Sequence, residues 1–344
     1  MTILVTGNQG YIGSVLTGIL QGKGYAVTGY DTGYYEGCRL YDDPRPNKHI
    51  AKDIRDVSRG DLRGVDAVIH LAALSNDPLG ELEPGVTEAI NYEATLKLGA
   101  LAKESGVKRF VYASSQSMYG IADTQGEVEE DASEKNPLTA YARTKWNAEV
   151  ALKKLSSDNF VVVSMRPSTV FGASPRLRCD IVFNNLVACA YTTGRIEVKS
   201  DGTPWRPVVH VHDVAQAFIA GLEAPASLVA SESFNVGIPS GNFTVRDLAE
   251  AASRAVKGST VAYTGEHGRD ARTYRVSFKK ILTVLKDHYR PAWNLDRGAA
   301  ELVDLFRRIA FTEEQFRGRI CNRLPQIRHL LHEGLVDKNL RWIK

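Results

Sequence analysis

A tyrosine and a lysine four residues apart, Tyr141 and Lys145 in Tyr141-Ala142-Arg143-Thr144-Lys145, are spaced for proton chemistry. Pro137 before them and Ala148, Val150 and Leu152 beyond read as a helix. A helix puts phenol and ammonium on one face, about 5–6 Å apart at Cβ. A nearby cation favours the phenolate and lowers the tyrosine pKa, as a general base for a hydroxyl requires. Upstream, Phe110-Val111-Tyr112-Ala113 reads as a buried strand spilling into the polar stretch Ser114-Ser115-Gln116-Ser117-Met118-Tyr119-Gly120. Ligands of open α/β sheets sit outside the carboxyl ends of strands, so Ser115 stands where it can bind a substrate oxygen and relay its proton to Tyr141. A serine-rich turn with no chemistry is the alternative.

The start of the chain holds a second constellation. Thr6-Gly7-Asn8-Gln9-Gly10-Tyr11-Ile12-Gly13 lies between the strand-like run Met1–Val5 and the helix-like run Ser14–Leu20. A tight strand-to-helix turn needs one residue at positive φ, one without Cβ so that a phosphate approaches the backbone, and one permitting close helix–strand packing. The helix N-terminal N–H groups complete an anion site. The glycines alone also fit a plain turn. Their place in the first strand and helix, and Asp31 ending the next strand-like run, favour a dinucleotide: a carboxylate there accepts hydrogen bonds from a ribose diol and repels a 2′-phosphate, which predicts NAD over NADP. Asp53 in Asp53-Ile54-Arg55-Asp56 either holds the adenine amino group or lies in a solvated loop. His70-Leu71-Ala72-Ala73-Leu74-Ser75 closes an apolar strand with small residues, as a backbone beside a bulky cofactor requires, with His70 read as a core residue.

These residues need a scaffold. Strand-like runs at Ile3–Thr6, Ala26–Tyr30, Ala67–Leu71, Phe110–Ala113 and Val161–Met165 alternate with helical patterns, the mark of a parallel sheet wound on both faces. After residue 172 the rhythm breaks into loops, a turn at Asp201–Trp205 and a helix-rich tail. At 344 residues, 43% hydrophobic and 24% charged, the composition is that of a packed globular enzyme. A net charge of +3 calls for neither nucleic acid nor a membrane surface, and no apolar stretch approaches the roughly 18 residues of a membrane span, so a cytoplasmic protein is expected. The four cysteines are scattered, with no disulfide framework or zinc spacing. His210-Val211-His212-Asp213 reads as a strand with two histidines on one face, and no metal is expected.

With these residues in view, the chain resembles the extended short-chain dehydrogenase/reductases, specifically the nucleotide-sugar epimerase and dehydratase group. The resemblance runs through TGNQGYIG, DIRD, HLAALS, SSQSMYG, YARTK, RPSTVFG and WRPVVHVHDVA, in family order and over nearly the whole chain. It implies an α/β fold: a Rossmann-type doubly wound parallel sheet, residues 1–171 with 207–236 returning to it, and a smaller C-terminal substrate-binding lobe, 172–206 and 237–344. For NAD it implies Gly7, Gly10, Tyr11, Ile12 and Gly13 at the pyrophosphate and Asp31 at the ribose. Asp53 and Ile54 would lie at the adenine, Leu71, Ala72 and Ala73 beside the cofactor, Tyr141 and Lys145 in contact with it, and Pro167 near the nicotinamide. Ser115, Tyr141 and Lys145 match the catalytic triad. For a nucleoside diphosphate sugar it implies Ser75, Ser117, Asn185, Arg206 and Arg272, since guanidinium suits phosphate. A homodimer through helices near Asn91–Lys103 and Ala140–Lys154 is also implied.

The departures bear on the reaction. The family's 4,6-dehydratases carry Thr-Asp-Glu where this chain has Ser115-Gln116-Ser117, and its galactose-type 4-epimerases carry Arg-Tyr-Phe-Asn where it has Arg166-Pro167-Ser168-Thr169. The resemblance therefore implies an NAD-dependent epimerase working through transient hydride transfer and a keto-sugar. The alternatives are a dehydratase or ketoreductase of the same family and, from another class, a non-catalytic NAD-binding protein. No role is read for the tail after Pro291.

Overall fold

The computed structural model describes residues 1–120, 126–265 and 273–343. The first half forms strands β1 (Thr2–Thr6), β2 (Ala26–Asp31), β3 (Lys48–Ala51), β4 (Ala67–His70) and β5 (Arg109–Ala113). Val161–Pro167 and Ser233–Val236 join them in a seven-stranded sheet ordered Ser233–Val236, Val161–Pro167, β5, β4, β1, β2, β3. Every pairing in it is parallel. Runs such as Ile3-Leu4-Val5 and Val161-Val162-Val163 are buried on both faces because both are covered. Ile3, Val5, Val111 and Val163 join one core with helix α1 (Tyr11–Gly22) and the helix Val211–Glu223; Leu4, Val68, Phe110 and Val162 join another with Leu98, Ala148 and Leu152.

From β1 the chain turns to one side for β2 and β3 and to the other for β4 and β5, so a crevice opens where the order reverses. Two strands exceed the five apolar runs. Edge strand β3 is mostly exposed and held by its pairing to β2, which needs no apolar alternation. Ser233–Val236 is buried but only four residues long and half polar. Beyond residue 168, Thr169–Phe171, Trp205–His210 and Asn242–Thr244 form a small sheet, packed with the helices Val182–Thr193, Val245–Ala255 and Leu295–Arg308.

One expectation is corrected. His210 and His212 do not share a strand: His210 ends one and caps the helix Val211–Glu223, its Nδ1 accepting the His212 N–H at 3.3 Å. The pairing with Phe171 stops at His210, and helical capping takes over. Its Nε2 meets Glu301 Oε2 at 2.8 Å, and its ring stacks on Trp293 with centroids 3.8 Å apart.

The tail also has a place. From the helix Arg323–His332 onward it returns to the first half, where Ile327, Leu330, Val336 and Leu340 share a core with Tyr34, Ile54 and Leu74. The Tyr34 hydroxyl donates to Leu340 O, Gln326 Nε2 to Tyr34 O (2.9 Å), Arg55 Nη1 to Asn339 O (2.7 Å) and Trp342 Nε1 to Thr32 O (2.7 Å). Ile327→Ala, at a fully buried position, is expected to destabilise the protein by about 2–5 kcal/mol and to lower its melting temperature in one transition. Thermal unfolding followed by circular dichroism checks this; an unchanged melting temperature would detach the tail from the core.

Candidate active site

A cavity of about 750 Å³ opens along the carboxyl edge of β1, β2, β4 and β5. At its floor the chain passes from β1 into α1. Gly7 adopts φ +72°, a conformation costly for other L-residues, and its N–H donates to Tyr30 O at 2.8 Å. A Cβ on Gly13 would lie 2.1 Å from Gly7 O, and one on Gly7 2.8 Å from Ala72 N. Helix α1 starts at Gly10 without a side-chain cap, leaving its first-turn N–H groups without a side-chain acceptor. Tyr11 lines the cavity, while its hydroxyl donates to Gly172 O (2.7 Å) and accepts from Asn184 Nδ2 (3.1 Å), tying the turn to the chain beyond residue 171.

At one end Asp31 accepts the N–H groups of Gln9 (3.0 Å) and Gly33 (2.9 Å). Burial pushes its carboxyl up, and those two donors oppose the shift. Ile12, Gly13, Asp53 and Ile54 line the same end, and Leu71, Ala72 and Ala73 the facing wall. Asp53 is held by Arg55 through paired contacts of 2.6 and 2.9 Å; burial opposes ionisation there, but Arg55 outweighs it and keeps the carboxyl below the usual range. His70 lies beneath, bridging Thr6 (2.6 Å) and Thr95 (2.8 Å), and burial drives its pKa down to about 3, so its ring is neutral. The glycine turn, the helix end without a side-chain cap and the buried carboxylate fit a dinucleotide.

In the middle stand the three candidate catalytic residues. Thr139 caps the helix Ala140–Lys153 by accepting the Ala142 N–H at 3.1 Å, which places Tyr141 in the first turn and Lys145 one turn on. Ser115 caps the short turn Gln116–Tyr119 and accepts hydrogen bonds from the Ser117 N–H (3.1 Å) and hydroxyl (2.9 Å). Ser115, Tyr141 and Lys145 line the same cavity. Lys145 Nζ donates to Ala113 O at 2.8 Å. The expectation of a lowered tyrosine pKa is corrected for this state of the site: burial pushes the phenol up to about 12, opposed chiefly by Ser115. Burial also takes Lys145 down to about 7.

The far end carries the candidate substrate residues. Ser75, Ser117 and Arg206 line the cavity, as does the candidate cofactor residue Pro167, and Arg206 Nη1 donates to Trp205 O at 2.9 Å. Asn185 is exposed and donates to Cys179 O at 2.9 Å, away from the cavity lining. Arg272 lies outside the described residues. Arg178 was not foreseen: clamped by Asp180 (2.8 and 3.0 Å), it lines the cavity and donates to Ser75 Oγ at 3.2 Å. An arginine and an aspartate two apart in a Pro-Arg segment were its only signal. Asn76, Tyr274 and Asn322–Pro325 complete this wall, the last four from the tail.

The buried lysine has a pH consequence. Lys145 is lowered from 10.5 to about 7, so between those values the unfolded chain binds more protons and stability rises with pH, by at most about 1.4 kcal/mol per unit. In denaturant unfolding at several pH values, cofactor-free protein is expected to gain stability relative to Lys145→Met as the pH rises from 7 toward 10; parallel pH curves for the two proteins would refute it.

Comparison with known proteins gives this geometry a family. Over 339 residues the chain is 26% identical to a Bacillus subtilis protein described as an uncharacterized UDP-glucose epimerase, YtcB, covering 92% of this chain and 100% of that protein. The structure is similar to that of MoeE5 in complex with UDP-glucose and NAD, at 26% identity, a TM-score of 0.76 and coverage of 90% and 99%. It is also similar to UDP-glucuronic acid 4-epimerase from Bacillus cereus in complex with UDP-glucuronic acid and NAD, at 25% identity, TM-score 0.74 and coverage of 90% and 100%. Residues 3–237 match the family model itself, and with the glycine turn, Asp31 and the Tyr141/Lys145 helix on one cavity, the chain belongs to the NAD dependent epimerase/dehydratase family.

Proposed function

We propose that this protein is an NAD-dependent epimerase of a nucleoside diphosphate sugar, working by reversible oxidation of a ring hydroxyl. The observation that carries the reading is the meeting of Ser115, Tyr141 and Lys145 in a cavity whose one end presents the glycine turn with Asp31 and whose other end presents Arg206. Relatives described as UDP-sugar epimerases support it.

Gly7, Gly10 and the start of α1 would hold the NAD pyrophosphate, Asp31 the ribose, and Leu71, Ala72, Ala73 and Pro167 would flank the cofactor. Bound there, NAD supplies a hydride acceptor that returns the hydride, together with a positive ring charge. As the phenolate, favoured by the cofactor's ring charge and by Lys145 as a cation, Tyr141 Oη would take the proton of the sugar hydroxyl, and the Ser115 hydroxyl on the same cavity would steady the oxygen that loses it. Lys145 enters as a cation when the site gains anionic partners that offset its desolvation. Arg206 anchors the diphosphate while the oxidised sugar turns its other face. A 4,6-dehydratase is disfavoured by Gln116, whose amide donates to Arg166 O at 3.0 Å and is neither acid nor base enough to drive an elimination.

The same reading includes cytoplasmic residence and a homodimer across the helices Ala94–Glu104 and Ala140–Lys153, on which Val150 is half-buried outside either core cluster while Leu96 and Leu101 pack against the core. Among the described residues no helix is long and apolar enough to cross a membrane.

Assay of the purified protein against a panel of nucleotide sugars tests the proposal. A change of sugar configuration without net NADH release is expected, and Tyr141→Phe is expected to lower turnover at least about a hundredfold while NAD stays bound. Stoichiometric NADH production or consumption would overturn the redox-neutral reading, and full activity of Tyr141→Phe would overturn the assigned base.

A further inference from the structure

Behind the cavity lies a buried ion pair with no place in the chemistry so far. Arg166 and Glu149 are 1% and 0% exposed, and the guanidinium donates to both carboxylate oxygens, Nη2 to Oε1 at 2.5 Å and Nε to Oε2 at 3.1 Å. Each partner belongs to an element of the active site. Glu149 is one helical turn beyond Lys145, on the face that carries Tyr141 and Lys145. Arg166 immediately precedes Pro167 at the end of its strand.

The third element is reached from the same guanidinium. Arg166 Nη1 donates to the Tyr119 hydroxyl at 2.8 Å, and the Arg166 carbonyl accepts from Gln116 Nε2 at 3.0 Å. Gln116 and Tyr119 are the two ends of the short turn that Ser115 caps. The remaining positions are filled: Ser233 Oγ donates to Glu149 Oε1 at 2.7 Å, and the Tyr119 hydroxyl donates to Asn235 Oδ1 at 2.8 Å.

We infer that Glu149 and Arg166 are positioning residues, whose ion pair fixes the Tyr141/Lys145 helix, the Pro167 strand end and the Ser115 turn relative to one another, with Tyr119 as the link to the serine. The inference rests on the catalytic reading of Ser115 and Tyr141 given above. Stability alone is a weak reason for such a pair, because desolvating two charges offsets their attraction and an apolar replacement is often neutral. Geometry is a stronger one: a misplacement of about 1 Å between catalytic groups can cost about a hundredfold in rate.

The test uses the full chain supplied with NAD. Tyr119→Phe removes one hydroxyl and is expected to lower kcat at least fivefold, with KM and NAD content unchanged, and to cost nothing more in a Ser115→Ala background. Glu149→Leu combined with Arg166→Met replaces the pair without stranding a charge; it is expected to fold, retain NAD and lose kcat at least tenfold. A readout free of turnover is the NMR signal of isotope-labelled Tyr141, assigned by its loss in Tyr141→Phe. In Tyr119→Phe it is expected to shift toward its position in Ser115→Ala. Wild-type kcat in Tyr119→Phe, losses that multiply with Ser115→Ala, or an unmoved Tyr141 signal would each overturn the inference. Absence of turnover in the wild-type protein would instead strike the proposed function and leave the NMR comparison standing.

Discussion

The loops leaving β1 and β4 pass so closely that Gly7 and Ala72 leave no room for a methyl group between them. That approach sets much of the molecule. It occurs where the sheet order reverses, so the crevice is narrow at its floor and widens between the two directions of winding. Backbone rather than side chain then lines the floor, which suits a flat, charged ligand. The Tyr11 hydroxyl extends the constraint by gripping Gly172 O, so the turn and the segment at Gly172 are located together.

The electrostatics of the cavity lean against charge. Burial disfavours the tyrosinate and the ammonium alike, so phenol and amine rest close to neutrality. A site in this condition is primed by whatever enters it: new counter-charge can move both groups toward the forms that exchange a proton. The Arg166/Glu149 pair behaves in the opposite way. Its two charges satisfy each other, with Glu149 held below and Arg166 above their usual ranges despite burial, so the pair stays ionised whatever occupies the cleft.

What could be read in the sequence was local. Helix spacing placed Tyr141 over Lys145, and glycine sterics placed the turn, because each depends on a few neighbouring residues. The edge strand Lys48–Ala51 has no apolar run of its own because it needs only a partner strand, and His212 went astray because capping by His210 ended the strand. Arg178 and Ser75 are 103 residues apart and meet only in the fold. Asn185 shows the limit of carrying a position over by motif: beside buried Asn184 it turns outward, one residue along the same helix.

The tail makes the boundaries of the fold differ from those of the family model. The family match stops at residue 237, yet Tyr34 is joined to Leu340 across 306 positions of chain. A fragment cut at that match would carry every glycine of the nucleotide turn and still expose the apolar faces of Tyr34, Ile54 and Leu74 to water. During synthesis the same faces wait, uncovered, for most of the chain to emerge. Apolar surface left open in this way is where an unfinished chain is most prone to associate.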